Sequence, residues 1–202
     1  MDEDAREQAL LTALTTEHFV LQTSRSATIT ESVGRTTIFL SLLSAALIGL
    51  GFVSGTGHLL RPYLGAVLPT LVITGLLTFG RLVQNMVENS LDLQRIQRIR
   101  GWYHRRFAAD QEFFADALAG GGGRGAIWAA VGERPRRAHL LLTTAALVGA
   151  VNGLLIGLGV TLLVALFGAP PGPAIAVGVV AALAAFALQF RHISRASIAV
   201  AG

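Results

Sequence analysis

Between Arg137 and Arg191 the chain runs for more than fifty residues without one Asp, Glu, Lys or Arg, interrupted only by the turn-forming run Gly168-Ala169-Pro170-Pro171-Gly172-Pro173. A helix that crosses a bilayer needs about 20 mostly apolar residues, because each residue advances it about 1.5 Å through roughly 30 Å of hydrocarbon. The stretch is long enough for two such helices with the proline and glycine run between them. Two shorter uncharged stretches, Thr36 to Leu60 and Pro62 to Gly80, flank a polar turn at Gly55 to Arg61 and repeat the arrangement. The fold class that follows is an all-α polytopic membrane protein, with four transmembrane helices in two hairpins and helical cytoplasmic extensions. The expected spans are Thr36 to Ser54, Pro62 to Arg81, His139 to Phe167 and Pro173 to Phe190, with Pro62 and Pro173 each in the first turn of its helix, where proline is tolerated.

Composition agrees. Only 14% of the 202 residues are charged and 52% are apolar, whereas about 25% are charged in an ordinary soluble domain. There is no cysteine, so disulfides, thiolate-bound metal and cysteine nucleophiles are excluded together. The acidic start Met1-Asp2-Glu3-Asp4 lacks the basic region of a cleaved signal, and the N-terminus is expected to be retained.

Arginine sets the orientation. Arg95, Arg98, Arg100, Arg105, Arg106, Arg124, Arg134, Arg136 and Arg137 all fall between the second and third spans, while the other two connections hold one arginine and none. Basic residues mark the cytoplasmic side. The central connection and both termini are therefore expected in the cytoplasm, the protein lying in the cytoplasmic (inner) membrane. The organisation reads as a cytoplasmic N-terminal helix over 1–35, a first transmembrane hairpin over 36–81, a cytoplasmic amphipathic stalk and glycine-rich linker over 82–137, a second hairpin over 138–190 and a tail over 191–202.

Helical periodicity continues outside the spans. Phe79, Leu82, Met86, Leu93, Ile96, Tyr103 and Phe107 recur at helical spacings, with Gly101 a plausible break, and Leu11, Leu14, His18 and Leu21 make a face on the N-terminal segment. Thr28 and Glu31 are spaced as a capping box at which the first helix would restart, and Glu31 precedes Arg35 in the favoured order for an ion pair one turn apart. Spans that form a tight hairpin must release their extensions side by side, so the two are expected to pair, either as a plain support or as a platform for a cytoplasmic protein or ligand. Beyond them Asp110 would cap a short helix with Phe113, Phe114, Ala117 and Leu118 on one side. Gly120 to Gly123 reads as a linker, since a phosphate loop also needs Gly-Lys-Ser/Thr. Arg134, Arg136 and Arg137, following Ile127, Trp128 and Val131, suit the anionic headgroups of a bilayer.

Within the third span Ala145, Gly149, Gly153, Gly157, Thr161 and Ala165 recur at every fourth residue. Lipid supplies no hydrophobic drive between helices, and small residues let backbones approach until dispersion and interhelical hydrogen bonds hold them. Ala145, Gly149, Gly153 and Gly157 are therefore the candidate packing surface, against Ser41, Ala45 and Gly49 of the first span or against another subunit. Asn152 lies beside them near mid-span. A carboxamide in hydrocarbon needs a partner, so Asn152 either makes an interhelical hydrogen bond or joins its symmetry mates in a pore.

No catalytic or metal site is discernible. His18, His58, His104, His139 and His192 are scattered singly, none spaced with a carboxylate or a second histidine as in a zinc site, and Glu88 and Asp92 have Arg95 beside them. No ionisable residue lies deep in a span, contrary to what a proton-coupled transporter requires. Neither an enzyme, a cofactor nor a nucleic-acid partner is expected.

The layout, with the helix Leu91-Asp92-Leu93-Gln94-Arg95-Ile96-Gln97-Arg98-Ile99-Arg100-Gly101-Trp102-Tyr103 between the hairpins, resembles uncharacterised small four-span proteins of high-GC bacteria. It is loosely similar to four-span effectors of bacterial nucleotide-signalling defence systems, which implies oligomerisation followed by membrane permeabilisation. The resemblance assigns no functional residue. Two expectations follow: a homo-oligomeric, pore-forming or channel-like protein with cytoplasmic helical stalks, or a non-conducting anchor presenting a helical platform to a partner.

Overall fold

A computed structural model describes residues 3–107 and 137–199, which are almost wholly helical and contain no strand. Helix α1 is Glu3–Val53, α2 is Gly57–Phe107, a 3-10 turn follows at Arg137–Leu142, α3 is Thr144–Leu166 and α4 is Pro171–Ala199. All four are long and apolar enough to cross a membrane. The residues fall into two compact units. One takes in 3–30 and 85–107; the other is Glu31–Gln84 with Arg137–Ile198.

Several helix ends differ from the sequence expectation, each for a local reason. α1 does not restart at Thr28, whose hydroxyl donates to the Ser24 carbonyl at 2.9 Å instead of capping. Glu31 cannot close a capping box either, because its carboxylate is held by Arg35 and Arg81. The first turn is shorter than expected: Thr56 accepts from Leu59 N at 2.9 Å and α2 starts at Gly57. Pro62 therefore sits inside α2, as does Pro69. Gly101 does not end α2, which continues to Phe107 and buries that glycine. α3 starts later than His139, where the Thr143 hydroxyl accepts from Ala146 N at 3.2 Å, an N-cap for one of the unpaired donors of the first turn. Pro171 and Pro173 lie in the first turn of α4, where a missing N–H leaves no helical bond unmade. Gly168, at φ 86°, provides the left-handed turn between α3 and α4.

In the first unit the segments pair in opposite directions. Thr15 meets Tyr103 at 2.9 Å, Ser24 donates to Asp92 at 2.8 Å and Arg25 donates to Asn89 at 2.9 Å. Leu21, Ile96 and Ile99 form its core with Leu14 and Tyr103 against them. The seam is apolar around Leu21 and polar where Thr28, Asn85 and Asp92 are buried. The second unit is centred on Phe39, Phe79, Val148 and Ile193, each almost fully buried.

Candidate functional site

The glycine row of α3 is spent on α4. A methyl built on Gly157 would stand 2.7 Å from both the Gly178 carbonyl oxygen and the Ala182 Cβ, and one on Gly153 would stand 3.0 Å from the Ala182 carbonyl oxygen. Backbone is thus packed on backbone, with Gly178 and Ala182 providing the matching small surface. Gly149 turns partly toward α2, where Phe79 would lie 3.4 Å from its methyl, and Ala145 is buried. This corrects the choice of partner: Ser41, Ala45 and Gly49 of α1 are not what the row meets. Gly49 instead accommodates Tyr63 of α2, whose hydroxyl donates to the Ala46 carbonyl at 2.7 Å.

Asn152 is wholly buried. Its amide donates to Gln189 Oε1 at 3.3 Å, and Gln189 donates onward to the carbonyls of Gly149 at 3.4 Å and Ala185 at 3.3 Å. Asn152 Oδ1 meets no N–H or O–H donor. It is directed at Gly75, where any side chain would strike the Asn152 carboxamide and, at 3.0 Å, the Phe39 ring. A Cα–H group is a weak donor of the kind found where helices approach closely. Asn152 is thus bonded to Gln189 of α4 and packed on Gly75 of α2, which leaves room for its oxygen and for the Phe39 ring of α1. Sequence reasoning missed Gln189 and Gly75. The signal for Gln189 was available, since it is the only other carboxamide in the uncharged stretch from 138 to 190.

The outward face of α1 is different. Thr37, Leu40, Ser41, Ser44, Ala45 and Ile48 line an open groove, and only 11% of the α1 apolar window is buried, against 33% in α2 and α3. Ser44 donates to the Leu40 carbonyl at 2.9 Å; Thr37 and Ser41 make no hydrogen bond within the described residues. On the flank toward α2, Ala45, Ala46, Ala66, Thr70 and Thr74 line a second groove with Tyr63.

At the end of the second unit, Glu31 ties α1 to α2. Arg81 grips its carboxylate with two nitrogens, at 2.9 and 3.1 Å, and Arg35 adds a contact at 2.7 Å. The Arg81 bonds foremost, then that of Arg35, lower the Glu31 carboxyl to a pKa of about 2. In the first unit Arg106 pairs with Glu7 at 3.0 Å, which lowers Glu7 and raises Arg106.

Arg134 and Arg136, with the segment from Asp110 to Val131, lie outside the described residues; Arg137 opens the 3-10 turn, and its side chain is likewise outside them. No cluster of three metal-ligating side chains occurs among the described residues.

Four helices of membrane-crossing length and polarity, packed through glycines and one buried carboxamide pair, are the make-up of a multi-pass membrane protein. No family model matches the chain, and neither a curated protein nor a solved structure is detectably similar to it.

Proposed function

We propose that this is a homo-oligomeric, channel-like protein of the cytoplasmic membrane, inserted as two hairpins with both termini and the arginine-rich connection in the cytoplasm. The observation that carries the reading is the outward face of α1. Its hydroxyls at Thr37 and Ser41, which make no hydrogen bond within the described residues, lie beside an open groove in the least buried of the four apolar segments. A hydroxyl that faces hydrocarbon gains nothing there, whereas the same group beside water or a neighbouring subunit finds a partner. α1 therefore lines the path or its subunit contacts. Asn152 does not, because its own chain encloses it on every side.

The test is ion flux through purified protein in liposomes, comparing wild type with Ser41→Leu and Asn152→Leu at equal incorporation. Ser41→Leu should suppress flux and Asn152→Leu should leave it. Flux lost in Asn152→Leu and kept in Ser41→Leu would refute the assignment. A second reading is favoured by the lack of any charged residue on α1 between Arg35 and Val53: a non-conducting anchor that presents the 3–30 and 85–107 helix pair to a cytoplasmic partner. Absence of flux from wild type, with oligomers present, would favour it.

A further inference from the structure

The helix pair of the first unit has a flank that no other described residue packs on. Its seam is made by Leu11, Leu14, His18, Leu21, Arg25 and Thr28 on α1, against Asn85, Asn89, Asp92, Ile96, Ile99, Tyr103 and Arg106 on α2. The residues that immediately precede these seam positions are rotated by about 100° to one side of it. On α1 they are Leu10, Ala13, Glu17, Val20, Ser24, which reaches across to Asp92, and Ala27; on α2 they are Leu91, Arg95, Arg98, Trp102 and Arg105 after Glu88. Because the helices run in opposite directions, an equal rotation of the same hand brings both rows to the same side of the pair. Each row keeps the alternating three- and four-residue spacing of a helix-packing seam.

This flank is open and carries apolar side chains into solvent. Leu10 is 46% exposed, Val20 56% and Leu91 40%, with Ala13, Glu17, Arg98 and Arg105 also exposed. Trp102, half-buried, lies among them, edge-on to Tyr103 and Phe107. Two hydrogen bonds fix the levels: Thr15 is opposite Tyr103 and Ser24 opposite Asp92. Between those points Glu17 lies within a turn of Arg98, yet neither makes an ion pair within the described residues. Leu10 lies within a turn of Arg105, and Ala27 within a turn of Leu91.

We propose that this flank is where two copies of the chain associate, α1 of one against α2 of the other, forming a four-helix bundle about a two-fold axis parallel to the helices. The inference rests on the homo-oligomeric reading above and names its cytoplasmic interface. Copies inserted in one membrane share an orientation, so such an axis preserves the levels of all residues. Glu17 of each copy then meets Arg98 of the other, and Ala27 meets Leu91. Arg98, which makes no ion pair within the described residues, then finds a carboxylate on the other copy, and Leu10, Val20 and Leu91 leave water.

The chain contains no cysteine, so the interface is testable by disulfide trapping in the full-length protein. Copies carrying Ala27→Cys and a large tag, reconstituted in liposomes with untagged copies carrying Leu91→Cys, should give an adduct of mixed size on mild oxidation. Adding Glu17→Arg to both should slow its formation about tenfold, as two like-charge contacts replace two ion pairs that each contribute up to a few-fold. Adding Arg98→Glu as well should restore the rate. No mixed adduct from a protein whose mass in detergent is oligomeric would overturn the interface and leave the homo-oligomeric reading standing. A mixed adduct insensitive to both charge reversals would likewise overturn the proposed pairing. A mixed adduct with charge rescue but no ion flux would keep the interface and remove the channel.

Discussion

Replacing Gly157 by alanine probes the close approach of α3 and α4 with a single methyl group. That methyl would sit 2.7 Å from the Gly178 carbonyl oxygen and 2.7 Å from Ala182 Cβ, about 1 Å inside ordinary non-bonded contact. Neither obstacle is a flexible side-chain end, so relief requires the helix backbones to part. Overpacking of this kind costs about 1–3 kcal/mol. Removing a helical glycine returns about 0.5–1 kcal/mol, leaving a net loss of about 1–2 kcal/mol. Gly65 is the internal control. It lies within α2 with nothing within 4 Å of a built methyl, so Gly65→Ala should be neutral or slightly stabilising. The measurement is unfolding in mild detergent, followed by far-ultraviolet circular dichroism across an SDS titration. Gly157→Ala should unfold at a lower SDS fraction than wild type, and Gly65→Ala at the same or a higher one. Equal stability of the two variants would refute the claim that the glycine row holds α3 on α4.

Gly153→Leu should destabilise far more than Leu154→Ile, since Leu154 is 69% exposed while a Cβ on Gly153 would stand 3.0 Å from the Ala182 carbonyl oxygen; the same SDS titration reads both. Asn152→Leu should lose about 1–3 kcal/mol, because it removes the donor to Gln189 and leaves a buried acceptor unpaired; unchanged stability would deny the carboxamide pair a structural role. Glu31 is lowered from 4.5 to about 2 by its arginines, so its contribution is complete above about pH 4.5 and is lost as pH falls toward 2. Wild type should accordingly lose more stability than Glu31→Gln on acidification through that window, and parallel losses would exclude Glu31 as the titrating tie. For topology, a cysteine at Gly57 or Gly172 should react with an impermeant reagent on intact cells and one at Gly122 only after permeabilisation; labelling at Gly122 without permeabilisation would invert the orientation.

The four membrane-length helices were legible because a charged group in hydrocarbon is so costly that its absence is a signal in itself. Arg35, Arg61, Arg81, Arg137 and Arg191 punctuate the sequence accordingly. Helix pairing was far less legible. In a soluble protein, apolar residues point inward; here Leu147, Leu154 and Leu158 of α3 are exposed while Gly149, Gly153 and Gly157 are buried. Hydrophobicity does not distinguish a neighbouring helix from lipid, so the glycine row was visible as a packing face without revealing what it packs on. Ser41, Ala45 and Gly49 had the right spacing and were nonetheless not its partner. The starts of α2 and α3 were obscured for a different reason. Expectation placed Pro62 in a first turn, but a helix tolerates one lost hydrogen bond when its exposed first turn starts earlier, at Gly57.

The polar groups of the second unit sort by what the helix backbone can do for them. A serine or threonine hydroxyl can return its proton to the carbonyl four residues back, as Ser44 does to Leu40, Thr70 to Ala66 and Thr161 to Gly157, so it can occupy an outward face with its donor satisfied. A carboxamide has two donor hydrogens and an acceptor oxygen, more than its own helix satisfies. That is why Asn152 and Gln189 are buried against each other between α3 and α4, with Gly75 making the space on α2. Thr37 and Ser41 on α1 depart from this division, making no hydrogen bond within the described residues, and so do Thr74 and Thr78 on α2. The two on α1 are exposed, so their donors are open to water or a neighbouring molecule, whereas the acceptor that Asn152 leaves unmet is enclosed by its own fold and open to neither.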